Sequence, residues 1–272
     1  NFENLKHLVL DEADRMLDMG FHDDIMRIVS YLPKKRETMM FSATMPPKIK
    51  KLAQSILHNP VEISIELSKP AEGVVQEAYI IHDEQKNPLI THILANRPEF
   101  TSVLVFTSTK VKVNKIVSGL RGKGYRVEGI SSDLDQKRRE EVLSEFRSHK
   151  ARVLVATDVL SRGIDIKDIN LIINYDVPQD AEDYVHRVGR TARAETTGVA
   201  VTLINKTELR KFLRIEALIG KEVPKMSLPP ELGDQPVMDQ HQHVPADKRF
   251  KPRRKNYGPR KGGGENRKPQ QN

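Results

Sequence analysis

Apolar residues along this chain gather in short runs without polar alternation: Leu8-Val9-Leu10, Val103-Leu104-Val105-Phe106, Val153-Leu154-Val155-Ala156 and Leu171-Ile172-Ile173. Such runs suit strands buried on both faces of a sheet. Stretches of helical character separate them. From Val75 the alternation is regular: strand 75–81 and helix near 87–95, strand 103–106 and helix near 111–120, strand 126–130 and helix 136–146, strand 153–156, strand 171–174 and helix near 181–188, strand 198–203 and helix 208–218. Strands alternating with helices predict a parallel sheet wrapped on both faces.

The first part of the chain carries a shorter version of the pattern. Residues 5–10 read as a buried strand, Ala13 to about Tyr31 as a helix stopped by Pro33, and Thr38–Phe41 as a strand. Pro46-Pro47 opens a helix running to about Leu57, because proline is tolerated in a first turn. Val61–Ile65 alternates like one more strand. Leu67 to Gly73 has no apolar period and reads as a linker. The expected fold is α/β, with two parallel sheets flanked by helices. Residues 1–66 form the C-terminal part of a first domain, 67–73 the linker, 74–222 a second domain and 223–272 a disordered basic tail.

Composition narrows the function classes. The 272 residues suffice for two real cores. The absence of cysteine excludes a disulfide framework and a thiolate metal site. No run approaches the ~18 apolar residues a membrane span needs, so a cytoplasmic protein without a membrane partner is expected. The chain opens on Asn1-Phe2-Glu3-Asn4, neither a signal peptide nor an initiating Met, and is expected to be a fragment whose upstream part is missing. Its net charge of +8 is uneven. From Lys248 to Asn272 ten Lys or Arg face one acid, Glu265, a net of +9 that leaves residues 1–247 near −1. Prolines 252, 259 and 269 and the Gly262-Gly263-Gly264 triplet keep this segment from burying enough apolar area to order itself. Such arms bind nucleic acid by neutralising phosphates with little sequence preference; the alternative is a solubilising tail. His241 and His243 read as solvated, not as metal ligands.

Candidate chemistry clusters at strand ends, where open α/β sheets bind ligands. Asp11-Glu12-Ala13-Asp14 puts three carboxylates after a buried strand. Adjacent carboxylates repel unless a cation sits among them, and Mg²⁺ takes oxygen ligands and arrives with nucleotide phosphates. The competing reading is a solvated acidic turn before a helix. Thr157-Asp158 through Arg162-Gly163-Ile164-Asp165 offers a hydroxyl, an arginine beside a glycine, and carboxylates, suited to a phosphate and a ribose hydroxyl or, more simply, to an ordinary capped loop. His186-Arg187-Val188-Gly189-Arg190-Thr191-Ala192-Arg193 spaces three arginines by three, with no acid inside the stretch to pair them. Planar guanidinium forks match phosphate oxygens; a solvated basic surface or an interdomain salt-bridge patch is the alternative.

Taken in order, these motifs resemble those of the DEAD-box ATP-dependent RNA helicases of superfamily 2, over residues 1–220. Asp11–Asp14 resembles the Walker B motif, Ser42-Ala43-Thr44 the coupling motif, and Val103–Thr109 the motif opening the second RecA-like domain. Thr157–Asp165 resembles motif V and Tyr184–Arg193 motif VI. The setting Met39–Pro46 is similar to bacterial members of the RhlE branch. Ile130-Ser131-Ser132-Asp133-Leu134 departs where many members carry His-Gly before Asp-Leu, and Ala192 stands where Gly is commoner.

The resemblance implies two RecA-like domains, the first only partial, using ATP and Mg²⁺. It implies that Asp11 holds Mg²⁺ through water and that Glu12 orients and deprotonates the attacking water. Asp14 and His186 would couple this site to Ser42 and Thr44. Asp165 would contact the ribose, and Arg190 and Arg193 would reach the γ-phosphate. Thr157, Arg162, Gly163 and the region from Gln136 to Arg139 would meet RNA phosphates. Single-stranded RNA and short duplexes are then the expected partners, without sequence preference, and the tail is an accessory tether. ATP-driven closure of two domains would destabilise a short duplex, and hydrolysis would reopen the clamp. No Gly-rich loop ending Gly-Lys-Thr occurs in the chain, so this polypeptide alone is expected to be inactive. A RecA-type motor acting on DNA and a non-catalytic RNA-annealing module stand as alternatives. Oligomeric state leaves no signal in the sequence.

Overall fold

The computed structural model describes residues 2–64, 73–158, 169–191 and 198–236. Two parallel sheets organise them. The first has two strands, β1 (His7–Leu10) and β2 (Glu37–Met40), in register from His7 opposite Glu37 to Leu10 opposite Met40. Around it lie α1 (Ala13–Asp18), α2 (His22–Ser30) and α3 (Pro47–Ile56). Leu10, Ile25, Leu52 and Ile56 form its small core.

Among the described residues the second sheet carries most of the apolar burial. Seven strands run in the order β5-β6-β4-β7-β8-β3-β9 and every pair is parallel. They are β3 (Val75–Ile80), β4 (Val103–Thr107), β5 (Val127–Ile130), β6 (Val153–Thr157), β7 (Leu171–Asn174), β8 (Val199–Ile204) and β9 (Lys225–Met226). Alternate residues of one strand feed two cores. Val103 and Val105 face α4 (Asp83–Asn96) and α5 (Lys110–Arg121), while Leu104 and Phe106 face the other helices. Those are α6 (Gln136–Arg147), α7 (Ala181–Val188) and α8 (Leu209–Ile219). Helices on both faces explain why these strand runs are apolar throughout. Where α5 crosses β5 the approach is close: a Cβ on Gly129 would stand 2.9 Å from Val113 Cγ1.

Four expectations are corrected. The strand expected at 5–10 is short, and only Leu10 in it is buried; Val9 is 51% exposed. A two-stranded sheet leaves one face and both edges open. The single helix expected from Ala13 to Tyr31 is two helices. Gly20, at φ +83°, ends the first, with Phe21 N–H donating to Met16 O and Gly20 N–H to Leu17 O, a Schellman closure. Residues 61–64 form no strand, and Val61 and Ile63 lie in solvent; two alternating apolar residues make a strand only beside a partner strand.

Order also extends past Val223, where a disordered tail was expected to start. β9 pairs with β3, and a 3₁₀ turn at Pro230–Leu232 follows. Gln85 Nε2 donates to Leu232 O at 2.6 Å and to Asp234 O at 3.1 Å. This strap is held by partners distant in sequence, with Leu228 and Leu232 packed against the core and His92 paired with Glu231, which no local pattern announces. The tail beyond it, residues 237–272, and linker residues 67–72 lie outside the described residues.

Candidate active site

β1 ends at Leu10, and the next turn delivers the acidic residues. Asp11 and Glu12 are exposed at the strand's carboxyl end. Glu12 sits in the left-handed region, φ 49° and ψ 47°, and its N–H donates to Asp11 Oδ1 at 2.9 Å. A sparsely populated backbone conformation costs a non-glycine residue roughly 1–3 kcal/mol, and such strain concentrates at functional sites. Asp14 is buried and fully engaged. Its Oδ2 accepts from Thr44 N–H at 2.8 Å and Thr44 Oγ1 at 2.9 Å, while its own N–H donates to Ser42 Oγ at 3.1 Å. Ser42 Oγ in turn donates to Thr44 O. Asp14, Ser42 and Thr44 therefore move as one unit.

α7 faces this unit from the second sheet. A cavity of about 650 Å³ is lined from one side by Asp14, Arg15, Asp18 and Thr44, and from the other by Asp183 and His186. Arg15 Nη2 crosses it to Asp183 Oδ1 at 2.7 Å. Burial holds the His186 imidazole below its usual pKa, and Arg15 adds to the effect; Asp183, Asp14 and Glu12 act against it. Asp18 shifts upward, first through burial and then through Asp14, Asp180 and Asp183, with Arg15 opposing. Arg190 lines an adjoining cleft with Arg15, Asp158 and Arg187.

Arg187 does not join Arg190 as a phosphate-facing arginine but is paired by an acid from outside the 186–193 stretch. It is buried, and its guanidinium grips Asp158 with two bonds, Nε to Oδ1 at 2.6 Å and Nη2 to Oδ2 at 2.7 Å. Nη1 donates to Asn174 Oδ1 and to Asp176 O. The acid that pairs it lies 29 residues away, invisible to a count of neighbours. Asp158 follows Thr157 at the end of β6, so Arg187 anchors the carboxyl end of that strand. Arg162, Gly163, Asp165 and Arg193 lie outside the described residues.

A second network sits behind the first and was not anticipated. Lys86 is fully buried; its Nζ donates to Tyr175 O at 2.9 Å and to Glu208 Oε2 at 3.2 Å. Asp176 accepts from Thr107 Oγ1, Ser108 N–H, Ser108 Oγ and Lys112 Nζ. Burial by itself would raise its pKa; Lys112, then the Ser108 and Thr107 donors, outweigh this and bring it to about 2. Together these groups lock the turns after β4, β7 and β8. Gln136 and Arg139 open α6, beside the end of β6 because β5 and β6 are neighbours. Gln136 Nε2 donates to Glu140 Oε1. The structure thus joins Asp14, Thr44 and His186 around one cavity, with Ser42 bonded to the first two, and leaves Gln136, Arg139 and Thr157 along a neighbouring edge.

An acidic strand end thus faces an arginine-bearing helix across a crevice, with parallel sheets behind both. Comparison with known proteins makes this specific. Residues 1–52 match the DEAD/DEAH box helicase family and residues 85–195 the helicase conserved C-terminal domain, together more than half the chain. The chain belongs to the DEAD-box helicase family.

Its relatives come from yeasts and bacteria alike. An ATP-dependent rRNA helicase RRP3 of Candida albicans is 41% identical over 232 residues, 85% of this chain and 43% of the relative. A DEAD-box ATP-dependent RNA helicase RhpA of Helicobacter pylori is 40% identical over 225 residues, 82% of this chain and 46% of the relative. The chain thus spans less than half the length of these relatives. Dbp5 of S. cerevisiae bound to RNA and ADP BeF3 superposes with a TM-score of 0.74 at 28% identity. A Dbp5 variant bound to Nup159, Gle1, IP6 and ADP gives 0.57 at 27% identity. Both cover 83% of this chain and 60% of the other. Among the described residues no helix is long and apolar enough to cross a membrane.

Proposed function

We propose that this chain is the later part of an ATP-dependent RNA helicase that separates short RNA duplexes by closing two RecA-like domains, 1–66 and 74–222, about the 67–73 linker. One observation carries the reading: groups from the two sheets, Asp14, Thr44 and Arg15 from one and Asp183 and His186 from the other, meet at a single cavity. Mg²⁺ and ATP fit the donor set, since exposed carboxylates at 11 and 12 offer hard oxygen ligands and Arg190 offers phosphate-matched donors. When bound, they supply a phosphoryl group for transfer to water.

The chain's own residues do the rest. Asp11 would hold the metal, and Glu12 would orient and deprotonate the attacking water. Arg190 and Arg193 donate to the γ-phosphate; arginines in this role are worth roughly 10³–10⁵ in rate. Asp165 accepts from the ribose. Thr157, Arg162, Gly163, Gln136 and Arg139 hold RNA phosphates, so grip is independent of base sequence. Asp14, tied to Ser42 and Thr44 and facing His186, passes the state of one site to the other. Because the chain has no Gly-Lys-Thr phosphate loop, it turns over negligibly alone.

The test is RNA-stimulated ATPase of the longer parent protein, with this chain assayed beside it. Glu12→Gln and Arg190→Ala are each expected to lower parental turnover at least a hundredfold, with this chain near background. Parental ATPase that survives Arg190→Ala, or an E12Q-sensitive turnover in this chain alone, refutes the assignment. Preferential stimulation by DNA of equal length would favour a DNA motor instead.

A further inference from the structure

The ion pair between Arg15 and Asp183 joins the two lobes directly. Arg15 belongs to α1, one residue beyond Asp14; Asp183 belongs to α7, one turn before His186 and Arg187 and two before Arg190. Their side chains are only 12% and 14% exposed. A charge-assisted bond of 2.7 Å shielded this far from water is strong and geometrically strict. If the lobes part, both charges must be rehydrated separately, so the contact exists only near one relative placement of the two sheets.

We propose that Arg15 and Asp183 form an ionic latch that holds the crevice closed and sets the depth at which His186 and Arg190 meet Asp14 and Glu12. They are positioning residues: neither needs to touch a ligand. The pair biases an open–closed equilibrium, so ligands that favour the closed state bind more tightly with the latch than without it. This consequence for ligands rests on the helicase reading; the latch itself does not.

The absence of cysteine from the chain makes a clean distance measurement possible. Lys51→Cys and Lys123→Cys, both on exposed positions of opposite lobes, carry a pair of fluorophores or spin labels. In the full chain the labels are expected to show a short-distance population beside an open one. Arg15→Asp or Asp183→Arg alone shifts the population to longer, broader distances, the milder Arg15→Gln shifts it part of the way, and R15D/D183R together recover the short one. Raising salt lengthens the distances in the parent chain and shortens them in the single-reversal variants, since it screens an attraction in the first and a like-charge repulsion in the second.

In the longer parent protein each single reversal raises the KM for RNA about tenfold, and the double reversal recovers it. A merely structural role would not produce recovery by charge exchange. Distances indifferent to both reversals, or a double reversal no nearer the original than the singles, overturn the latch. A latch that responds as expected beside a parental ATPase insensitive to E12Q would overturn the functional reading and leave the latch standing.

Discussion

At the scale of single residues, Arg187 shows how a side chain's type and its role separate. It lies in an arginine-rich stretch suited to phosphate, yet it commits its donors to Asp158, Asn174 and the Asp176 carbonyl. Removing one partner of a buried ion pair leaves the other uncompensated, at a cost of roughly 3–5 kcal/mol. Arg187→Ala is expected to lower the melting temperature by roughly 10 °C. Arg187→Lys should recover little, because a point charge cannot make the two-bond grip and the two further donations together. Calorimetric melting of the three proteins checks this; equal melting temperatures would show that Asp158 finds another partner. Asp176 differs, since its neighbours stabilise the charge it carries.

At the scale of elements, Asp176 and Lys86 tie the turns after β4, β7 and β8 into one block. The folded pKa of Asp176 is about 2, below its ordinary 3.8. The group therefore adds stability that is full above pH 3.8 and is lost as pH falls through 2. The difference amounts to about 2 kcal/mol. Melting curves between about pH 2 and 5 should show this acid limb, and Asp176→Asn should flatten it while lowering stability at neutral pH. An unchanged slope in the variant would place the acid sensitivity elsewhere. His186 works in the opposite chemical sense: its pKa is lowered from 6.5, so its neutral form is favoured by the fold and protonation below pH 6.5 costs stability at the interlobe cavity.

The same block explains the elements that periodicity located well. Helices at 136–147 and 181–188 and strands at 103–107, 153–157 and 171–174 sit within a residue or so of the expected positions, because both faces of the sheet are covered and the apolar runs have one place to go. The expected strand at 61–65 and the long helix from Ala13 failed for local reasons: the first has no partner strand, and the second meets Gly20 at a positive φ.

At the scale of the whole molecule, the charge is concentrated in 248–272 while the rest is nearly neutral. Binding of single-stranded RNA by the chain should weaken steeply with salt. Ending the chain at Pro236 should make the slope shallower by several units, since each phosphate that the tail neutralises on a single strand accounts for roughly 0.7 of it. Fluorescence anisotropy across a salt series measures it. An unchanged slope would assign RNA binding to the folded lobes alone.

The residues of the candidate site were legible as types: carboxylates after β1, a hydroxyl pair at Ser42 and Thr44, arginines after α7. Periodicity and motif order are local properties of the chain, and they determined the parallel sheet of the second lobe and the family likeness. Partnership is not local. Arg187 with Asp158, Asp14 with Thr44, Lys86 with Glu208 and Arg15 with Asp183 join positions 29 to 168 residues apart. Which charge ends in the crevice and which is neutralised inside the fold is decided by distance and desolvation, and both exist only once the strands have been brought together.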